Sequence, residues 1–385
     1  MDVKTAFLNG HIEHDIYMRQ LEGFVDPQHP EYVCKLKRSL YGLKQSARCW
    51  NQILDGFLIQ TGYRKCDADS CIYVKSVKND DGFIKFVILA VYVDDIIPVS
   101  NEIDMLNAEK DMLCKHFEMT DQGEIHFILG MTIKRDRESK TLFINQEKYI
   151  ESVLDRFGMT DCKPVSTPLE ATYHKRTEEE EGFDKNLYQQ AIGCLTYIST
   201  ATRPDISVAV SVLSSYMSEP SRDHWNGVKR ILRYLKGTMN FGLKFTAEDD
   251  EKENGDGLHG YSDANWAGDV DTRRSTSGYV FNVANCTVSW SSKKQASVTK
   301  STTEAEYVAL SQATQEAIWM RRLLSDIGCR SEEPTIIYEN NQGAIEISKN
   351  AKFHNRTKHI DVRFHFIREK VLSNEVKVIS IFQPK

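Results

Sequence analysis

Residues 86–93 form an unbroken apolar run, FVILAVYV, entered from Lys85 and rich in Val, which predicts a strand buried on both faces. Asp94-Asp95 interrupts the run and residues 96–100 resume it, so the segment reads as strand, tight turn, strand, with two acids at the tip of a hairpin. Residues 127–134 and 141–145 read as a second hairpin. Helices are predicted over 39–61 and 147–157, and again over 188–200. Arg203-Pro204-Asp205 marks a helix start, with Pro in the first turn. Residues 224–236 carry Trp225, Val228, Ile231, Leu232 and Leu235 at helical spacing. From 257 onward the pattern changes. Strands are predicted at 258–262, 278–283 and 287–291, a long amphipathic helix at 303–327, a strand at 335–338, and helices at 342–350 and 362–372. Three strands, a helix, then strand and helix make an α/β domain with a mixed sheet.

Composition narrows this picture. The chain has 385 residues, 41% hydrophobic and 27% charged, which excludes collagen-like, coiled-coil and wholly disordered classes. The longest apolar run is far short of the roughly 20 residues of a membrane helix, so no membrane partner is expected. The first residues, MDVKTAFLNGHIEHD, lack a basic start followed by an apolar stretch, so no signal peptide is expected. Nine scattered cysteines without CxxC spacing read as reduced thiols of an intracellular protein, with cytoplasm and nucleus equally open. The net charge is −6, which argues at first sight against a nucleic-acid partner. Two acidic runs, at 178–185 and 248–256, carry −4 and −5, leaving the rest at +3. They read as solvated linkers and divide the chain into 1–170, 171–256 and 257–385.

Candidate chemistry lies in the carboxylates. Asp94 and Asp95 have two readings, ordinary turn residues or ligands of divalent cations, which need converging carboxylate oxygens from more than one strand. Asp2, in an extended-looking N-terminal stretch, is a possible second source. Asp263 ends a predicted strand. Thr303 with Glu306, and Ser301 with Glu304, fit capping boxes at the start of the long helix. Asp361 precedes the last helix and could cap it.

MDVKTAFLNG, SLYGLKQSARCW and YVDD, in this order, closely resemble the reverse transcriptase of Copia-type LTR retrotransposons. The resemblance implies an α+β polymerase palm, an antiparallel sheet with helices, acting as an RNA-directed DNA polymerase. Asp2, Asp94 and Asp95 would be its catalytic, metal-binding carboxylates. Phe7 matches the bulky residue that fences off the nucleotide 2′-hydroxyl. Gly42, Lys44, Gln45, Arg48 and Tyr92 would contact substrate, with solvated helix charge as the alternative for Lys44 and Arg48. The implied cofactor is Mg²⁺ or Mn²⁺. The implied partners are RNA template, DNA primer, deoxynucleotide triphosphates and other parts of the Pol polyprotein.

GYSDANWAGDVDTRRSTSGYVF, SWSSKKQ, STTEAEYVAL, NNQGAI and FHNRTKHIDVRFHFIRE resemble the ribonuclease H region of the same polyprotein, and 188–238 resembles its helical connection. The resemblance implies a ribonuclease H-like α/β domain with a mixed five-stranded sheet, cutting RNA in an RNA–DNA hybrid. Asp263, Glu306 and Asp361 match three of four metal-binding carboxylates. Arg273, Arg274, Lys293 and Lys294 are candidate phosphate contacts or, alternatively, plain surface charge.

The sequence also departs from that pattern. Asn340 stands at the position of the fourth carboxylate and offers the metal set a neutral oxygen without charge. Neighbouring Glu339 should point to the opposite face of its strand, a poor substitute. Met1 lies one residue before Asp2, whereas the family has a fingers region upstream. Ala47 stands where the family has Pro, and Pro98 removes a backbone donor from the strand after the aspartates. Impaired polymerase and nuclease activity is therefore expected. The competing expectation is a non-catalytic nucleic-acid-binding remnant or domesticated protein.

Overall fold

The computed structural model describes residues 1–78, 83–170, 183–247, 257–269, 271–349 and 361–381, the side chains of 361–364 excepted. The acidic run 248–256 and residues 178–182 of the other run lie outside the described residues. The described chain packs as two compact units, Met1–Ile125 with Arg322–Arg330, and His126–Arg321 with Ser331–Lys385.

The first unit runs β1 (Asp2–Val3), a 3-10 turn (Ala6–Asn9), β2 (Tyr17–Arg19), β3 (Val33–Lys35), α1 (Ser46–Gln60), β4 (Arg64–Lys65), β5 (Ile72–Lys78), β6 (Ile84–Tyr92), β7 (Asp95–Ser100), α2 (Ile103–His116) and β8 (Met119–Thr120). Six strands form one antiparallel sheet in the order β4-β5-β6-β7-β1-β8. Helix α1 buries Ser46, Trp50, Leu54 and Leu58, a four-residue repeat that keeps one stripe against the sheet. Its start corrects the predicted helix at 39. The Ser39 N–H donates to the Gly10 carbonyl at 2.9 Å and Gly42 takes φ 94°, so residues 39–45 are spent on a tertiary loop.

Strand β6 differs from expectation as well. Val87 and Leu89 are fully buried, but the alternate face is only half-buried, as in an antiparallel sheet covered by helices on one side. Pro98 is accommodated for a geometric reason. The Ile96 N–H, two residues earlier, points away from β6 toward the Met1 carbonyl. The Pro98 nitrogen points the same way, beyond the end of the two-residue β1.

The second unit continues with β9 (Phe127–Ile128), β10 (Met131–Asp136), β11 (Thr141–Asn145), α3 (Glu147–Arg156), α4 (Lys185–Ala201), a 3-10 turn (Pro204–Ile206), α5 (Ser207–Ser214), α6 (Arg222–Gly237) and β12 (Gly242–Thr246). The strand predicted at 127–134 is broken at Leu129-Gly130, both at positive φ, so that β9 folds back antiparallel on β10. Helices α4 and α6 begin earlier than predicted because Asp184 and Ser221 cap them, Asp184 accepting from the Asn186 and Leu187 N–H groups. Then follow β13 (His259–Asn265), β14 (Thr276–Val283), β15 (Cys286–Lys294), α7 (Thr302–Asp326), β16 (Thr335–Glu339), α8 (Gln342–Lys349), α9 (Asp361–Leu372) and β17 (Val376–Ser380). The last five strands form a sheet in the order β15-β14-β13-β16-β17, antiparallel over its first three strands and parallel over β13-β16-β17. None of the helices is long and apolar enough to cross a membrane among the described residues.

The helical part of this unit is pinned by Arg203, 1% exposed. Its guanidinium donates to both Asp205 oxygens, to the Thr238 carbonyl at 2.8 Å and to the Thr238 hydroxyl at 2.7 Å, and Tyr234 donates to Asp205 at 2.7 Å. Burial pushes the Asp205 carboxyl up, but Arg203 outweighs it and holds the pKa below the ordinary value. Arg203→Met is expected to cost about 3 kcal/mol, the low end for a broken buried pair because Asp205 is partly solvated. In urea unfolding followed by tryptophan fluorescence, the midpoint should fall, and adding Asp205→Asn should recover part of the loss.

Candidate functional site

Two clusters of carboxylates emerge, one in each unit. In the first, β1 lies hydrogen-bonded between β7 and β8, so Asp2 stands directly opposite Asp95 on one side and Thr120 on the other. Directly paired residues project to the same face. The Val3 N–H donates to the Asp94 carbonyl at 2.9 Å, fixing the turn against β1. That turn is two residues long, because Tyr92 pairs with Asp95 across it. Val93 takes φ 58°, a costly conformation for a β-branched residue. Its carbonyl accepts a 2.6 Å hydrogen bond from the indole of Trp50, buried in α1. Burial, then the charges of Asp94 and Asp2, raise the Asp95 pKa above its ordinary value. The structure thus brings Asp2, Asp94 and Asp95 together.

Phe7 sits on the 3-10 turn after β1. Its carbonyl accepts from the Ser39 hydroxyl, and its ring packs on Tyr41 with centroids 4.8 Å apart. Gly42, Lys44, Gln45, Arg48 and Tyr92 are exposed. Tyr41 and Trp50 were not singled out from sequence. The only signal was their place inside the SLYGLKQSARCW motif.

In the second unit, Asp263 lies near the end of β13, Glu306 in the first turns of α7, and Asn340 just beyond β16. The two capping readings separate here. The Glu304 N–H donates to the Ser301 hydroxyl at 3.2 Å and Glu304 itself accepts from the Lys300 N–H at 2.8 Å, so Glu304 belongs to the cap. Glu306 instead faces the backbone of β13, where the Ala264 N–H favours its ionised form against burial. The Asn340 amide donates to Asp263 Oδ1 at 2.8 Å. Asp361 begins α9, but its side chain lies outside the described residues.

Strand alternation places Glu339 on the face opposite Asn340, as expected, and turns it inward. Thr335, Ile337 and Glu339 are buried, and Glu339 pairs in register with buried Ser262. Its Oε1 accepts from the Asn341 N–H at 3.0 Å. Burial first, then the charges of Glu339 and Asp263, push Glu306 up to about 8. Burial first, with Asp263 adding to it against the Asn341 N–H, pushes Glu339 up to about 7. Oε2 of each glutamate is buried without a hydrogen-bond partner.

The donor set fits a hard divalent cation, since it consists of oxygens and includes unsatisfied carboxylate atoms. As the side chains stand, no three acidic, histidine or cysteine groups converge tightly enough to chelate an ion among the described residues. Asp263 also lines a cavity of about 1160 Å³ with Asn265, Arg230, Tyr216 and Trp290. Lys294, on the same wall, is paired with Asp269, whereas Lys293, Arg273 and Arg274 are exposed.

The sign of the pH dependence follows from the two raised glutamates. Each contributes stability that is fully present below the unfolded value near 4.3 and is lost as pH rises through about 7 to 8. Glu339→Gln should therefore flatten the fall of the melting temperature between pH 5 and pH 8. Differential scanning fluorimetry in EDTA checks this, and parallel curves for both proteins would contradict it.

Residues 1–171 match the family described as reverse transcriptase (RNA-dependent DNA polymerase). The chain is 45% identical to the retrovirus-related Pol polyprotein from transposon TNT 1-94 of Nicotiana tabacum and 39% identical to that from transposon RE1 of Arabidopsis thaliana. Each match covers 99% of this chain, and the chain spans 28% and 25% of those proteins. It is 32% identical to a putative transposon Ty5-1 protein of Saccharomyces cerevisiae, over 82% of this chain and all of that protein. In fold it is similar to a foamy viral protease-reverse transcriptase solved with an RNA/DNA hybrid, with a TM-score of 0.52 at 13% identity, covering all of this chain and 44% of the viral one. The chain belongs to the retrovirus-related Pol polyproteins of Copia-type retrotransposons, and residues 1–171 are its reverse transcriptase region.

Proposed function

We propose that the first unit is a polymerase palm that extends a DNA primer on an RNA template, and that residues 257–385 form a ribonuclease H-like domain acting on RNA–DNA hybrids. The observation that carries the polymerase reading is the pairing of Asp2 opposite Asp95, with Asp94 held in the adjoining two-residue turn. Asp2, Asp94 and Asp95 would hold Mg²⁺ or Mn²⁺. When bound, such ions supply Lewis-acid stabilisation of phosphoryl oxygens and activate the attacking hydroxyl. The chain itself contributes position. Trp50 clamps the turn, and Phe7, braced on Tyr41, stands where it can exclude a ribose 2′-hydroxyl. Exposed Lys44, Gln45 and Arg48 offer contacts to the triphosphate, and Gly42 keeps the loop backbone open to it. Primer extension on an RNA template with deoxynucleotides and Mg²⁺ tests the reading. Asp94→Asn should lower extension at least a hundredfold, and equal extension by the two proteins would overturn it.

The nuclease is proposed to be slow. Asn340 brings no charge and its amide donates to Asp263, occupying a lone pair that a cation needs. The same hydrogen bond favours a second reading, a unit that binds hybrids without cutting them, with Arg273, Arg274 and Lys293 as phosphate contacts and strong salt dependence. Hybrid cleavage in Mg²⁺ separates the cases. Asn340→Asp should raise the rate tenfold or more, while robust cutting by the unaltered chain, undiminished relative to Asn340→Asp, would defeat the proposal of impairment.

A further inference from the structure

We infer that Gln295 is a positioning residue for the nuclease, a strut that sets the first turn of α7, and with it Glu306, against β13 and β14. The inference rests on the reading of Glu306 as one of the nuclease carboxylates and deepens it, assigning a role to a residue outside the carboxylate set. Gln295 directly follows β15, and its N–H continues the ladder to β14 by donating to the Ser275 carbonyl at 2.8 Å. Lys294 lies on the cavity wall, so alternation turns the next side chain inward, and Gln295 is 2% exposed.

Three observations carry the inference. First, the Gln295 amide joins helix to sheet. Its Nε2 donates to the Ser277 hydroxyl at 2.9 Å and to the Ala305 carbonyl at 3.0 Å. A carbonyl only accepts, so the amide nitrogen must face it, which fixes the orientation of the side chain. Second, both ends of the strut lie beside the carboxylates. Ala305 immediately precedes Glu306 in α7, and Ser277 pairs across β14 and β13 with Ala264, the residue after Asp263. The neighbouring cap does something different, since Lys300, Ser301 and Glu304 bond to one another and start the helix without reaching the sheet. Third, the surroundings are polar where packing alone asks for apolar groups. Ser275, Ser277, Gln295 and Thr299 are all buried, the Ser275 and Thr299 hydroxyls lie 2.7 Å apart, and Gln295 Oε1 has no hydrogen-bond partner among the described residues. An apolar side chain of the same length would fill this space without an orphaned oxygen, so burial does not account for an amide here. Positioning does, because a hydrogen bond fixes direction and apolar burial does not. An offset of about 1 Å in a catalytic group can lower a rate on the order of a hundredfold.

The experiment measures cleavage of an RNA–DNA hybrid in Mg²⁺ by the full chain carrying Asn340→Asp, chosen for its higher rate, and by the same chain with Gln295→Met, Ser277→Ala or both. Met keeps the length of Gln and removes both donors. Gln295→Met should lower kcat at least tenfold, with KM and the melting temperature unchanged. Ser277→Ala should lower kcat severalfold alone and add nothing to Gln295→Met, because the strut is already gone. Amide hydrogen exchange in EDTA should speed up in the first two turns of α7 in Gln295→Met while the rest of the helix keeps its protection. Unchanged kcat in both single variants would overturn the inference. So would losses that simply multiply in the double variant, or a loss of kcat that only follows a fall in melting temperature. If Gln295→Met does not fold, Ser277→Ala decides, and an unchanged kcat in it would overturn the inference. Absence of cleavage by the Asn340→Asp parent would instead remove the nuclease reading, and the inference with it.

Discussion

Like charges gathered at the ends of buried strands are the constraint on which both units depend. Burial penalises a carboxylate, and a second carboxylate beside it penalises it again. In the first unit backbone pairing meets this cost. Strand β1 is two residues long, yet it is bonded on both sides, and that pairing alone sets Asp2 opposite Asp95. The turn between β6 and β7 holds a β-branched residue in a left-handed conformation and is clamped by an indole from α1. The core therefore does more than fill space, because Trp50 transmits the position of α1 to the aspartates. In the second unit the cost falls on the glutamates themselves, whose pKa values rise through burial first and neighbouring negative charge second.

What could be read from sequence follows from the range of the forces involved. Long amphipathic segments such as 224–236 and 303–327 were legible, because a helix writes its buried face into its own spacing. Their true starts depended on caps at Asp184 and Ser221, local signals that periodicity does not weigh. The loop before α1 reads as helix because its residues suit a helix. Only the tertiary bond from Ser39 to Gly10 and the positive φ of Gly42 show otherwise. Asp2 had no local signature at all, since a two-residue strand has no period. Only the resemblance to a family motif points to it.

Glu339 marks the deeper limit. The alternation rule correctly separated it from Asn340 and correctly implied opposite faces. It did not imply distance, because a side chain buried beneath a sheet can still lie close to one projecting from the helix that covers that sheet. Helix α7 supplies that cover, and its packing is not written in the sequence around 339.

Positions 340 and 339 set a neutral amide on the exposed face beside a carboxylate buried within. A carboxylate at 340 would share its charge with solvent, since Asn340 is exposed. At 339 the same charge is fully enclosed, so ionising it works against the fold. Protonation of Glu339 and folding of the second unit are thus one linked equilibrium. The amide at 340 fits the same logic, because it relieves Asp263 of repulsion on the exposed face while the negative charge is carried within.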